Sequence, residues 1–382
     1  MVPLSYSYRN LIVRWRTTLM TASGFTLVVT ALIVMLAFVN GVRTVCAGSG
    51  QPENVVVMKE GNFDEVLSQL ESRLAFQIEA IPHVARDAHG RPLSSRELFM
   101  AVTQWDERSG KYHQVQIRGV YPVAREVHSQ VKIVRGRMFR RNRREIVLGA
   151  GMARQQDLDV GDTLPLGQEA WEVVGVFTAA GSAFESEAWC DLDQLAGLFR
   201  REGIYSSVIL RTASPAAAAR AVDYLEDNRA LAVQAQTETD YYRQQAEQTD
   251  MIRAGAVVVS VFMAIGAVFG VMNTMFAAIA ERVKDIAVMR LLGFRRMEIL
   301  ASFLLESLLI AAFGGAVGTL LGYAVNGLTL STALGAKSIA FAFTVDGPIL
   351  AIGAIFSLAM GVVGGLLPAL SAMRIAPLEA MR

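Results

Sequence analysis

Residues Ala254 to Ile310 read AGAVVVSVFMAIGAVFGVMNTMFAAIAERVKDIAVMRLLGFRRMEILASFLLESLLI. Ala254–Ala280 carries no charge. Ile299 opens a second apolar run, continuing to Leu330, whose one charge is Glu306. About 20 apolar residues in helix cross a bilayer, so both runs are long enough to span it. Between them lie Arg282, Lys284, Arg290, Arg295 and Arg296. Two spans joined by a short basic loop place that loop on the cytoplasmic side.

Two further spans follow by the same test, at 17–39 and 347–373, and neither is charged. The first exceeds the 7–15-residue apolar core of a cleavable signal, so it reads as a span. Arg9, Arg14 and Arg16 precede it, while Arg374 and Arg382 follow the last span. With four spans, all three basic segments share one side. Both termini and the 281–298 loop are then cytoplasmic, and residues 40–253 and 331–346 are outside. The 382-residue chain is 53% hydrophobic and 19% charged, with a net charge of +1. That balance carries no global attraction to nucleic acid.

The 40–253 insertion is long enough for one or two domains. It reads as mixed α and β. Asn54–Met58, Glu145–Leu148 and Trp171–Phe177 are strand-like, and Val115–Val120 alternates as a half-buried strand should. Phe63, Val66, Leu67, Leu70 and Leu74 have helical spacing, which predicts a helix over 63–77. Ser214-Pro215 starts another helix, and a helix from about Thr239 leads into the second span. Arg135, Arg137, Arg140, Arg141, Arg143 and Arg144 form a basic cluster, read either as a solvated loop or as a contact for an acidic partner. Cys46 and Cys190 leave open one disulfide or two separate thiols.

The cytoplasmic loop, Glu281 to Leu300, reads as a short amphipathic surface helix. Val283, Ile286, Ala287 and Arg290 share a face, Met289 and Leu292 lie nearby, and Arg282, Lys284 and Asp285 point elsewhere. Gly293 is placed to end it in the left-handed conformation of a C-cap. Glu306, an ionisable group inside a span, is a functional candidate by default, for a role in substrate movement; the structural reading is a pair with a cytoplasmic-side arginine or a hydrogen bond to a neighbouring helix. Gly266 and Gly270 form G-x-x-x-G, and Gly314, Gly315, Gly318 and Gly322 line the third span. Gly361, Gly364 and Gly365 lie in the fourth. Such residues let helices approach in lipid. Residues 1–16, with Tyr6, Tyr8, Leu11, Ile12 and Trp15 among the arginines, read as an interfacial amphipathic helix.

These residues resemble the FtsX/MacB-type ABC permeases. ERVKDIAVMRLLGFRRMEILASFLLESLLIAAFGGAVGTLLGY resembles their E-R-x-K-E-I-G-x-x-R-A-x-G run, with Asp285, Ala287 and Leu291 as departures. LPALSAMRIAPLEAMR resembles their ending, and GRMFRRNRREIVLGAGMARQQDLDVGDTLPLGQEAWEVVGVF their outer domain. Residues from about Arg86 to Gln116 match no family pattern. The resemblance implies an α-helical membrane protein of four spans with a mixed α/β extracytoplasmic domain, in a bacterial inner membrane. It implies a permease worked by a separate cytoplasmic ABC ATPase through Glu281, Arg282, Lys284, Asp285, Ile286, Met289, Arg290, Leu291 and Gly293. It also implies a homodimer or a pair with a related permease, and a periplasmic adaptor or membrane lipids as further partners. No G-x-x-x-x-G-K-[ST] run is present, so ATP and Mg²⁺ are expected on the partner and not on this chain. His83, His89, His113 and His128 lack metalloprotease spacing, and no metal or catalytic residue is expected. The expected function is export of a lipid, lipoprotein, peptide or small amphiphile. The alternative is a non-transporting regulator that activates a cell-wall hydrolase.

Overall fold

A computed structural model describes residues 13, 15–106, 110–167, 169–334 and 337–374. Most of the expected N-terminal surface helix, and the tail beyond Arg374, lie outside them. The chain forms two compact units. One runs to Gly41 and takes in Asp250–Leu328 and the chain from Ala342 on; the other is Val42–Thr249 with Thr329–Phe341.

In chain order the elements are α1 (Trp15–Ala47), β1 (Asn54–Lys59), β2 (Leu70–Glu71), α2 (Ser72–Glu79), β3 (Ser94–Asp106) and β4 (Lys111–Val120). Then come α3 (Ala124–Val127), β5 (Lys132–Gly136), β6 (Glu145–Gly149), α4 (Ala150–Gln156), β7 (Thr163–Leu166) and β8 (Glu169–Thr178). They are followed by β9 (Ala188–Asp191), α5 (Leu192–Phe199), β10 (Ile204–Tyr205), β11 (Ser207–Arg211), α6 (Pro215–Asp227) and β12 (Val233–Thr237). The last six are α7 (Glu238–Glu281), α8 (Val283–Leu291), α9 (Arg296–Tyr323), β13 (Thr329–Leu334), β14 (Lys337–Ala342) and α10 (Gly347–Met373).

Four helices, α1, α7, α9 and α10, are long and apolar enough to cross a membrane. Helix α9 stops at Tyr323, short of the expected Leu330. There Gly327 takes a positive φ of 80°, and the Asn326 side chain accepts a hydrogen bond from Val345 N at 2.9 Å. The α9 glycines divide between two partners. A Cβ on Gly314 would lie 2.6 Å from Ala22 O, one on Gly318 2.7 Å from Thr26 O, and one on Gly322 2.6 Å from Ile33, so this stripe seats α9 against α1. Thr26 and Thr30 hydroxyls donate across the same seam to the Gly314 and Gly318 carbonyls at 3.0 and 3.1 Å. Gly315, Gly361 and Gly365 line the α9–α10 seam, where Ser307 donates to Gly361 O and Ser357 to Ala311 O. A Cβ on Gly266 or Gly270 meets nothing within 4 Å, so neither packs against a helix among the described residues.

The outer unit is built on a mixed sheet ordered β12-β1-β11-β3-β4-β9-β6-β8-β5, with β7 on β8. The β4–β9 and β6–β8 pairs are parallel and the rest antiparallel. The Arg86–Gln116 stretch supplies most of the β3–β4 hairpin at its centre. Local chemistry starts α6, where the Ser214 side chain caps Ala217 N ahead of Pro215. The fold class is thus four membrane helices plus a mixed α/β domain.

Two local expectations fail for stated reasons. No helix covers 63–77; only Ser72–Glu79 is helical, and Phe63 and Leu67 are 73% and 69% exposed. Asp64 accepts from Val66 N in a tight turn, and Ser68 accepts from Lys59 N, tying the segment back to the end of β1. Strand β4 is not half-buried: Val115 to Val120 are all buried, Gln116 and Arg118 included. The basic cluster is largely paired. Arg135 bonds Asp159, Arg141 reaches Asp193 at 3.1 Å and Arg144 reaches Glu169 at 2.6 Å. Arg137 grips Glu145 with both terminal nitrogens, holding that carboxyl down at about 2. Cys46 and Cys190 are separate buried thiols.

A branched side chain forced into the α1–α9 seam has no room. Gly318→Val is expected to cost about 1–3 kcal/mol as overpacking, whereas Gly270→Ala should change stability by less than about 0.5 kcal/mol. Thermal unfolding of the two variants in detergent checks the contrast; equal losses would contradict the seam.

Candidate functional site: a clamped loop helix and a buried charge cluster

The basic loop folds into α8, held at three points. Ile286 and Ala287 are fully buried beneath it. Arg282, just before its start, donates from Nη1 to Glu306 Oε2 at 3.2 Å, and both residues are buried. A carboxylate inside a span is costly unless paired, and this pair answers that cost. At the other end Gly293 has φ 92°, Phe294 N bonds Met289 O at 3.1 Å and Gly293 N bonds Arg290 O at 3.2 Å, which is a Schellman ending. Glu298 then accepts from Arg295 N at 3.0 Å and opens α9. A nine-residue helix clamped so tightly is a stiff element.

Lys284, Asp285, Val288, Leu291 and Leu292 fall at i, i+1, i+4, i+7 and i+8 and make its open face. Val288, Leu291 and Leu292 are 47%, 56% and 73% exposed, so the face is apolar with a charged edge. Of the residues singled out from sequence, Glu281, Lys284, Asp285, Leu291 and Gly293 are exposed, and Met289 and Arg290 are half-buried. Arg282 and Ile286 are buried and anchor the helix, so they do not belong to its open face. Sequence reasoning missed Val288 and Leu292 as parts of this face. A helical wheel centred on Lys284 would have found them.

The outer unit holds a second constellation, which sequence reasoning missed entirely. Arg118, on β4, is 1% exposed. Its Nε and Nη2 donate to the two oxygens of Glu187 at 2.6 and 2.7 Å. Its Nη1 reaches Glu97 at 2.6 Å, and Nη1 and Nη2 reach Glu65 at 3.0 and 3.2 Å. Two more cations complete the cluster. His128 Nε2 lies 2.7 Å from Glu97 Oε1, and Lys337 Nζ donates to Glu65 Oε2 at 2.5 Å and to the Tyr241 hydroxyl at 2.9 Å. Trp189 donates to Glu187, and Ser207 to Glu65. Glu238, the first residue of α7, takes bonds from Gln51 N and Asn54 Nδ2 at 2.9 and 3.0 Å, and its carboxylate stands 3.8 Å from His128 Nδ1.

The electrostatics follow from burial opposed by neighbours. Burial would raise the Glu65 and Glu97 carboxyls, but Arg118 with Lys337, and His128 with Arg118, hold them below the ordinary value. Burial would lower His128, but the Glu97 carboxylate outweighs it and raises the imidazole above its usual 6.5. The only sequence signal for this cluster was polar alternation: Gln116 and Arg118 on β4, and Lys337 leading Ile339 and Phe341 on β14.

A multi-span membrane protein with a clamped helix between its second and third spans and a large outer domain is a permease-like architecture. Residues 18–228 match the MacB-like periplasmic core domain and residues 257–377 match the FtsX-like permease C-terminal domain. The chain belongs to the FtsX/MacB-type ABC transporter permeases. It is 28% identical over 310 residues to the uncharacterized ABC transporter permease YknZ of Bacillus subtilis, covering 72% of this chain and 73% of that one. It is 25% identical over 395 residues to the macrolide export ATP-binding/permease protein MacB of Bdellovibrio bacteriovorus, covering 94% of this chain and 58% of that one. The crystal structure of the YknZ extracellular domain from Gram-positive bacteria aligns over 48% of this chain and 100% of its own, at 18% identity and a TM-score of 0.36.

Removing Arg118 takes the cation from Glu187 and one of two from Glu65 and Glu97, so Arg118→Met is expected to destabilise the outer domain by about 3–5 kcal/mol. The signs of the pH dependence differ by group. His128, raised in the fold, stabilises fully below its unfolded value of 6.5, and this stability is lost as pH rises through the folded value. Glu65 and Glu97, lowered in the fold, stabilise above 4.5 and lose this as pH falls through their folded values. Denaturant unfolding of the full chain, followed by tryptophan emission between pH 6 and 9, should therefore show falling stability with rising pH. His128→Gln should flatten that slope, and an unchanged slope would contradict the assignment.

Proposed function

We propose that this permease subunit carries movement from a separate cytoplasmic ABC ATPase, through α8, to its outer domain. The carrying observation is the face of Lys284, Asp285, Val288, Leu291 and Leu292: exposed apolar residues beside charges, on a helix clamped at both ends. An apolar patch rimmed by charge favours a protein partner. Because α8 lies between α7 and α9 with only short turns, pressure on it acts on two spans at once.

The orientation that fits the basic loops places α8 and both termini in the cytoplasm of a bacterial inner membrane and the outer unit in the periplasm. The work done is export or extrusion of a lipid, lipoprotein, peptide or small amphiphile. It is powered by ATP and Mg²⁺ held on the partner, with a second copy or a related permease completing the assembly and a periplasmic adaptor receiving the cargo. The family relation to MacB, named for macrolide export, supports the export reading.

The test co-expresses the chain with the ABC ATPase that co-purifies with it and measures permease-stimulated ATP hydrolysis in nanodiscs. Leu291→Asp combined with Leu292→Asp, Lys284→Glu, and Ala287→Pro are each expected to lower stimulation, the first and last by about tenfold or more, equal to about 1.4 kcal/mol or more of coupling. Membrane insertion should be unchanged. Undiminished stimulation in all three would overturn the proposal.

A further inference from the structure

The chain between α9 and α10 is not a bare loop. It forms the β13–β14 hairpin, which belongs to the outer unit. Strand β14 alternates, with Lys337, Ile339 and Phe341 buried and Ser338, Ala340 and Ala342 half-buried. Its inward face delivers Lys337 into the charge cluster, with Nζ 4.7 Å from the centroid of the Phe99 ring and 5.2 Å from that of Tyr241.

The attachment has an unusual composition. Among the described residues, β13 and β14 pair only with each other and share no ladder with the large sheet. Gln116 Nε2 bonds Ser338 O, and Ala340 N donates to Ser186 Oγ at 2.8 Å. The ionic contact is Lys337 to Glu65. Among the described residues, detaching the hairpin would therefore break side-chain contacts and uncover Ile339 and Phe341, but break no backbone ladder to the large sheet.

The charges tolerate such a detachment in a way that the rest of the cluster does not. Without Lys337, Glu65 keeps two nitrogens of Arg118 and the Ser207 hydroxyl. Lys337 itself would exchange its partners for water. Arg118 has no such freedom, since it binds both oxygens of Glu187 and reaches Glu65 and Glu97 as well. The cluster thus has one permanent cation at its centre and one delivered from a separable element.

From this juxtaposition we infer that the hairpin is a releasable latch within the outer unit. Engaged, Lys337 fills the Glu65–Tyr241 site; released, it stands in water and the hairpin leaves the surface around Gln116 and Ser186. The release step rests on the ATPase-coupling reading above; the engaged contact does not.

The test places cysteines at Ser186→Cys and Ala340→Cys in the full chain in native membranes. The Ala340 N to Ser186 Oγ bond puts these backbones within disulfide reach. Single-cysteine variants control for the buried Cys46 and Cys190. Copper–phenanthroline oxidation should cross-link the pair rapidly. Lys337→Met should slow cross-linking by about tenfold, and Lys337→Arg should restore most of it, as an ion pair requires. Equal rates in the parent and Lys337→Met would overturn the latch, because apolar packing alone would then hold the hairpin. With the co-purifying ATPase present, the cross-linked protein should lose most stimulated hydrolysis and regain it with dithiothreitol. A locked hairpin that leaves stimulation intact would overturn release while leaving the permease reading standing. A parent that stimulates no ATPase before oxidation would instead overturn the permease reading, and the Lys337 dependence of cross-linking would then judge the engaged contact.

Discussion

A guanidinium sealed inside a β-sheet domain must be neutralised where it stands, and the outer unit is arranged around that requirement. Arg118 sits on the central strand β4 with almost no exposure, and three carboxylates from separate parts of the chain converge on it. Glu97 comes from the paired strand β3, Glu187 from the turn before β9, and Glu65 from the irregular segment after β1. A charge in a low-dielectric interior strengthens each correct contact and penalises each missing one. The cluster therefore specifies how those segments meet, which an apolar core of similar volume would specify less sharply.

The same requirement reaches the residues that lead to the membrane helices. Gln51, a few residues beyond α1, and Glu238, the first residue of α7, bond each other beside His128. Tyr241, one turn further along α7, shares Lys337 with Glu65, and Lys337 comes from between α9 and α10. Chain segments adjoining all four membrane helices thus contribute to one polar network in the outer unit. In the membrane unit the corresponding constraint is steric: glycines on α9 and α10 let backbones meet, with serine and threonine hydroxyls bonded to the carbonyls opposite.

Much of this was legible from sequence where a single helix or strand carried the signal. The spans declared themselves by length and absence of charge, and Gly293 by its place after the last apolar residue of α8. The loop's basic residues were visible, but not which of them would be buried. Arg282 looked like part of an outward-facing charged set and is instead committed to Glu306. Phe63 to Gln77 has helical spacing, yet Asp64 caps a turn, Phe63 and Leu67 are exposed, and only Leu70 and the residues after it enter the core. A periodic pattern cannot register a competing local hydrogen bond, and it cannot report a partner about 24 residues or more away.

By itself the sequence determined that four helices cross a bilayer, that a mixed α/β domain lies between the first two, and that a short capped helix joins the second and third. Those properties are set by hydropathy, charge sign and the φ preference of glycine, which are local. Only the tertiary structure decided that β4 is buried on both faces and that Arg118, Glu65, Glu97, Glu187, His128 and Lys337 share one site. It also decided that Gly314, Gly318 and Gly322 face α1 while Gly266 and Gly270 face no helix among the described residues. An isolated arginine or glutamate on a strand reads as solvent-facing, because its cost of burial is removed only by charges brought from distant parts of the chain.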